Sequence, residues 1–173
     1  MSASVCHALT ARRLWLPNQR LGARTSIQDV THLAPLLEAL SHWARSRTDI
    51  VGLALVGSHA RDAAGPTSDV DVVIVTSSPD GYRANSEWVS TIPWPRQSAP
   101  PAAWRDAEYG AVWSRHLRFA DGVVVELTFA APQWAKTDPV DSGTRQVVGD
   151  GCRIVWDPQG VLGRLLAAVR IGE

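Results

Sequence analysis

Two short apolar runs, IVGLALVG at residues 50–57 and DVDVVIVT at residues 69–76, constrain this chain more than any other feature. A continuous apolar run of strand length, bounded by turn residues, reads as a β-strand buried on both faces. Two such strands require a sheet that is covered on each side, so the rest of the chain must supply the covering layers. The segment between them, SHARDAAG, has room for only a turn or two of helix before Gly65-Pro66 breaks it. The two strands therefore lie close together.

The covering layers are legible on either side. From Asp29 onward Val30, Leu33, Leu36, Leu37, Leu40, Trp43 and Ala44 recur at spacings of three and four, the stripe of an amphipathic helix capped by Ser26 or Asp29. A last helix carries Val161, Leu162, Leu165, Leu166 and Val169 on one side. Between residues 78 and 107, Pro79, Gly81, Pro93, Pro95, Pro100 and Pro101 imply an extended loop with one short helix. AVWSRHLRFA and VVVELTFA then form a hairpin, and a two-residue Asp121-Gly122 turn would set Glu126 opposite Leu117. QVVGDGCRIVW reads as a second hairpin turning at Gly149-Asp150-Gly151.

The expected architecture is α+β: a mixed, largely antiparallel sheet of about five strands with helices packed on it. One domain would span residues 29–173, with its core at 50–130 and the C-terminal hairpin and helix at 145–171. Residues 1–28, with Arg12, Arg13, Arg20 and Arg24, show no apolar period and form an N-terminal arm of undefined structure. A chain of 173 residues supports one hydrophobic core.

Composition narrows the function. The 17 basic and 17 acidic residues cancel, so no overall positive field favours a nucleic-acid surface. Cys6 and Cys152 show neither CxxC nor Cys/His spacing, which argues against a disulfide framework or a zinc site and fits a reducing cytoplasm. No run reaches the roughly 18 apolar residues of a membrane span, and the N-terminus has no signal-peptide core. The expectation is a soluble cytoplasmic protein with no membrane partner.

The chemistry concentrates in residues 57–71. Gly57 at a strand end lets backbone approach a ligand, and the start of the short helix expected after it would offer unpaired amides and a positive dipole end to phosphate oxygens, with the Ser58 hydroxyl beside them. In Asp69-Val70-Asp71 the strand period puts both carboxylates on one face and Val70 in the core. Like charges that close call for a cation, and magnesium prefers such oxygen donors next to a phosphate cradle. Glu126 shares its strand face with Val124 and Thr128; if its strand neighbours that of the aspartates, it is a third carboxylate, either a metal ligand or the base for an acceptor hydroxyl. Otherwise it is a solvent-facing residue or an ion-pair partner of Arg115 or Arg118.

At these residues the chain resembles the DNA polymerase β-like nucleotidyltransferase superfamily, in which Gly-Ser precedes Asp-x-Asp on the following strand. Gly57, Ser58, Ala60, Arg61, Ser68, Asp69 and Asp71 fall on that pattern. The small bacterial branch is the most similar: aminoglycoside and lincosamide nucleotidyltransferases and minimal nucleotidyltransferase domains. The resemblance implies transfer of a nucleoside monophosphate, AMP favoured, from a triphosphate to a hydroxyl of a small-molecule acceptor such as an antibiotic, with two Mg2+ ions. It implies Asp69, Asp71 and Glu126 as catalytic residues and metal ligands, and Gly57, Ser58, Arg61 and Ser68 as nucleotide contacts. Asp62 stands where the family most often has glycine, and Glu126 where many members have aspartate. Aspartate tolerates the left-handed backbone, so the turn survives.

The family's larger members complete the acceptor cleft with a helical domain, which the residues after 130 do not match. The proline-rich loop, a second copy of the chain or a partner protein would serve instead. An antitoxin-type domain acting on a partner protein, or a silent nucleotide-binding domain, are the alternative functions. Trp88, Trp94 and Trp104 read as anchors of the long loop or as stacking surfaces for a base or drug ring, and His59 and His116 as structural histidines or substrate contacts. Asp138-Pro139-Val140-Asp141 reads as an acidic turn or a second metal site.

Overall fold

The computed structural model describes residues 28–95 and 100–171; the arm before Gln28 lies outside the described residues. Helix α1 (Gln28–Arg45) leads into β1 (Ile50–Val56) and β2 (Val70–Thr76). Two short helices follow, α2 (Pro79–Ala84) and the single turn α3 (Trp88–Thr91). Then come β3 (Ala103–Tyr109), β4 (Val112–Arg118) and β5 (Val124–Ala130), a 3-10 turn at Pro132–Ala135, α4 (Ser142–Gly149), β6 (Cys152–Trp156) and α5 (Val161–Ile171).

The six strands form one sheet in the order β3-β4-β5-β2-β1-β6. Only the β2–β5 pairing is parallel; the other four are antiparallel. The architecture is α+β, as the sequence indicates, with six strands where about five were expected. Two elements differ from the sequence reading. β3 arises at the end of the stretch read as an extended loop, where its exposed, polar face marks a sheet edge and gives no apolar run to find. QVVG, read as the first arm of a hairpin, is instead the end of α4. Asp141 caps that helix, its carboxylate accepting from the amides of Gly143 and Thr144 at 2.9 and 3.1 Å, and this cap outweighs the β-branched pair Val147-Val148. Asp141 is thus occupied as a helix cap.

The sheet has two unequal faces. One carries Leu53, Leu55, Val72, Ile74, Trp113, Leu117, Leu127 and Phe129 against Leu36, Leu40 and Trp43 of α1 and Tyr82 and Trp88 of the short helices. Trp88 is therefore core, with its indole N–H donated to the Tyr82 carbonyl. Trp94 packs edge-on against Phe119, and Trp104 stays half-exposed on the edge strand. The other face carries Ala54, Val56, Val73, Val75 and Ala130 under Leu162 of α5. Because side chains alternate, each strand's position in one set excludes it from the other.

Arg115, weighed above as an ion-pair partner of Glu126, points instead into the first face. Its Nε and Nη2 donate to the two carboxylate oxygens of Asp106 at 2.7 and 2.8 Å, and the guanidinium lies over Trp113 and Trp88 at 5.3 and 5.5 Å. A buried guanidinium is tolerable only when paired this way. The pair locks β3 to β4, and so fixes the strand that flanks Glu126. Replacing Asp106 by alanine strands the cation, and urea unfolding should show a loss of about 2 kcal/mol, a buried-pair value reduced for the partial exposure of Asp106; Arg115→Met, which removes charge and partner need together, should cost less.

Candidate active site

The site is built by register. β2 and β5 run parallel, with Asp71 paired to Glu126 and Val70 to Val125. Adjacent strands lie about 4.8 Å apart, so the two carboxylates start from neighbouring points on the same face. The adjacency expected for Glu126 and Asp71 is thus present, and Val70 is buried in the main core as expected. Asp69 lies in the coil just before β2, two residues back from Asp71. Among the described residues no three His, Cys, Asp or Glu side chains surround one point in metal-binding geometry. The register thus gathers two of the three carboxylates, with Asp69 two residues before Asp71 in the coil.

Asp71 and Glu126 are 8 % and 3 % exposed. Two acids on neighbouring strand positions and shielded from water form an acidic spot that favours a cation. The donors are carboxylate oxygens, which suits a hard divalent cation better than a soft one.

Gly57 closes the site from β1. Its φ is +72°, a region L-residues avoid, and a Cβ built there would stand 2.6 Å from Asp71 Oδ2. Glycine is required both by the bend and by the space beside the carboxylate. In place of the short helix expected after Gly57 the chain makes only a tight turn, so no helix N-terminus among the described residues faces the site: the Ala60 amide donates to the Gly57 carbonyl at 3.1 Å and the Ala63 amide to the Ser58 carbonyl at 2.9 Å. Asp62 takes φ 56°, so the left-handed turn the resemblance requires is present with aspartate in glycine's place.

This turn is braced by the start of β6. Arg61 donates to the Asp150 carbonyl at 3.2 Å and Arg153 to the His59 carbonyl at 2.9 Å, while Arg153 and Asp62 form an ion pair at 3.6 Å. Arg61 is therefore engaged in holding the turn. Ser68 likewise accepts the Gly65 amide at 2.9 Å, shaping the approach to β2. His59 borders a small cleft with Ser68, Val70, Phe119 and Asp121, which opens on the sheet face that carries Val70. A larger cavity of about 540 Å3, lined by Arg47, Asp49, Tyr82 and Trp88, lies at the far ends of β1 and β2. Neither is lined by Asp71 or Glu126.

Across β4 the site continues where the sequence reading did not place it. His116, not Leu117, is the register partner of Glu126. The reason is the hairpin loop: the Phe119 amide donates to the Val123 carbonyl and the Gly122 amide to the Phe119 carbonyl, at 2.9 and 3.0 Å, so three residues rather than two turn the chain. That one-residue shift exchanges which β4 side chains share the face of Glu126. His116 Nδ1 is 3.6 Å from Glu126 Oε2, and the Tyr109 hydroxyl is 3.3 Å from His116 Nε2. Arg105, paired with His116 on β3, extends the row to the sheet edge. Correct placement of the hairpin loop would have revealed His116; Tyr109 and Arg105 were hidden with β3.

The family model of the nucleotidyltransferase domain matches residues 37–124. The chain belongs to that family. This nucleotidyltransferase domain is similar in fold to an aminoglycoside 6-adenyltransferase from Bacillus subtilis, at 15% identity and TM-score 0.43, over 58% of this chain and 35% of that one. A toxin-antitoxin structure with AMP-PNP is 13% identical with TM-score 0.42, over 79% of this chain and 86% of that chain. A nucleotidyltransferase-like protein from Exiguobacterium sibiricum is 16% identical with TM-score 0.43, covering 79% of this chain and 38% of that one. This chain thus spans little more than a third of two of these structures. At such identities and scores the likeness says nothing of substrate. No curated protein gives a significant match, and no helix among the described residues is long and apolar enough to cross a membrane.

Two measurements check this geometry. Gly57→Ala should lower stability by about 1–2 kcal/mol in denaturant unfolding, the usual cost of an L-residue in the left-handed region, with Asp71 displaced in a crystal structure of the variant. Cys152, whose register partner Val56 is also the partner of Asp71, is mostly protonated near neutral pH: burial pushes its thiol up to about 11. In a Cys6→Ser background its alkylation should be slow at pH 8 and rise about tenfold per pH unit until the pH nears that value, because only the thiolate reacts.

Proposed function

We propose that this chain is a magnesium-dependent nucleotidyltransferase that moves a nucleoside monophosphate, AMP first among them, from a triphosphate to a hydroxyl of a small-molecule acceptor. The observation that carries the reading is the pairing of Asp71 with Glu126 on adjoining strands, beside a glycine bend packed so closely on the Asp71 carboxylate that a Cβ would not fit. The carboxylate donors fit Mg2+, with Asp69, Asp71 and Glu126 as its holders. Bound there, the ions would offset the charge of the triphosphate and lower the pKa of the acceptor hydroxyl.

The chain's own residues do the rest. The Gly57-Ser58 bend presents backbone amides and the Ser58 hydroxyl to the β- and γ-phosphates. The acceptor oxygen attacks the α-phosphorus, the bond from that phosphorus to the bridging oxygen of the β-phosphate breaks, and pyrophosphate leaves with the electron pair. Glu126, on the buried side of the site, takes the hydroxyl proton directly or through a water. Arg61 and Ser68 serve this reading by holding the bend in shape, with Arg61 near enough to its outer edge to meet a phosphate as well.

Purified chain mixed with each labelled nucleoside triphosphate, Mg2+ and a panel of polyhydroxylated small molecules, aminoglycosides included, tests the proposal. Pyrophosphate should appear with at least one acceptor, vanish with EDTA and return with excess Mg2+. Asp71→Asn should bring the rate below detection, and Glu126→Gln should lower it by about 10²–10⁴-fold, the usual span for a lost general base. Turnover that is indifferent to EDTA or to Asp71→Asn would sink the reading.

A further inference from the structure

A glutamate is one methylene longer than an aspartate and carries one more rotatable bond. The strand therefore fixes the Cα of Glu126 without fixing where its carboxylate points. A neighbour must choose that direction. His116 stands opposite it in the β4–β5 register, with Nδ1 3.6 Å from Oε2. Beyond the ring, the Tyr109 hydroxyl lies 3.3 Å from Nε2. His116 and Glu126 are 7 % and 3 % exposed, so water screens this contact little.

The Tyr109 hydroxyl can donate or accept, and the carboxylate decides which. If Nε2 carried the only ring proton and gave it to Tyr109, the Nδ1 lone pair would face a buried carboxylate, and the two would repel. If Tyr109 donates to Nε2, the ring proton sits on Nδ1 and its N–H faces Glu126. The second arrangement is favoured by the sign of the Coulomb interaction alone. A doubly protonated ring also presents N–H at Nδ1, so the contact has the same sense in either charge state.

We infer that His116 is a positioning residue for the third carboxylate: held as the Nδ1–H tautomer by Tyr109, it draws Oε2 to the β4 side and presents the other oxygen of Glu126 to the β2 side, where Asp71 stands. This rests on the function proposed above. It explains how the family's acidic position works here with the longer side chain: His116 supplies the orientation that a shorter aspartate would have from its own geometry. At 3.6 Å the contact is electrostatic and longer than a hydrogen bond, but it biases the direction of the carboxylate in the same sense as the neighbours of ligand carboxylates elsewhere.

The test uses the full chain and needs no acceptor. Nitrogen-15 NMR of the imidazoles should show His116 as the Nδ1–H tautomer in the wild type, and Tyr109→Phe should erode that preference. Mn2+ titrated by electron paramagnetic resonance should bind the wild type, with His116→Leu weakening the affinity about 10–100-fold, the usual cost of losing such a partner. His116→Asn, whose amide N–H takes the place of Nδ1, should recover most of the loss. An Nε2–H tautomer in the wild type overturns the inference, and so does His116→Leu with Mn2+ affinity within about twofold of the wild type. The tautomer measurement stands even where His116→Leu fails to fold. A wild type that binds no Mn2+ defeats the proposed function and this inference together, whereas binding that His116→Leu leaves unchanged defeats the inference alone.

Discussion

The parallel pairing of β2 with β5 is the interaction on which the rest depends. No hairpin enforces it, because the strands run in the same direction and β3 and β4 intervene between them in sequence. What holds it is burial: Val72 and Ile74 on one strand and Leu127 and Phe129 on the other share the core beneath α1 and the short helices. A slip of either strand by one residue would send its two core side chains to the opposite face and bring its acid, Asp71 or Glu126, into the core, which no apolar gain could offset. The hydrophobic pattern therefore sets the register, and the register sets the carboxylates side by side.

Around that pairing, different parts of the chain do separate tasks. Gly57 packs closely on Asp71, and β6 keeps the following turn in place through Arg61 and Arg153. Arg115 and Asp106 tie β3 to β4 on the core side, while His116 and Tyr109 occupy the opposite face of the same two strands. One hairpin thus presents a structural cation to the interior and a histidine to the acidic site, by nothing more than alternation.

The sequence makes the centre of the fold legible and loses its edges, for a physical reason. β1 and β2 are buried on both faces and announce themselves as apolar runs, so the Gly57-Ser58 and Asp69-Asp71 motifs could be placed on them before any coordinates. The strand of Glu126 was legible from the same kind of run, and its neighbour was a conditional that the parallel pairing satisfies. β3 has little apolar content because it lies at an edge, and α4 was read as a strand because its two valines outweigh an Asp141 cap that is visible only in three dimensions. The register error at Leu117 came from a turn in which Asp-Gly is preceded by one more loop residue. That single position separates a hydrophobic neighbour for Glu126 from a titratable one.

The parallel strand pair also bears on how the protein comes to be. Asp71 and Glu126 are far apart along the chain and meet only after the hairpin of β4 and β5 has docked onto a sheet edge formed by β1 and β2. Non-local closures of this kind cost loop entropy before contacts return it, and they come late in assembly. The acidic pair is consequently a product of the finished topology, and nascent or partly folded chains do not bring Asp71 and Glu126 together.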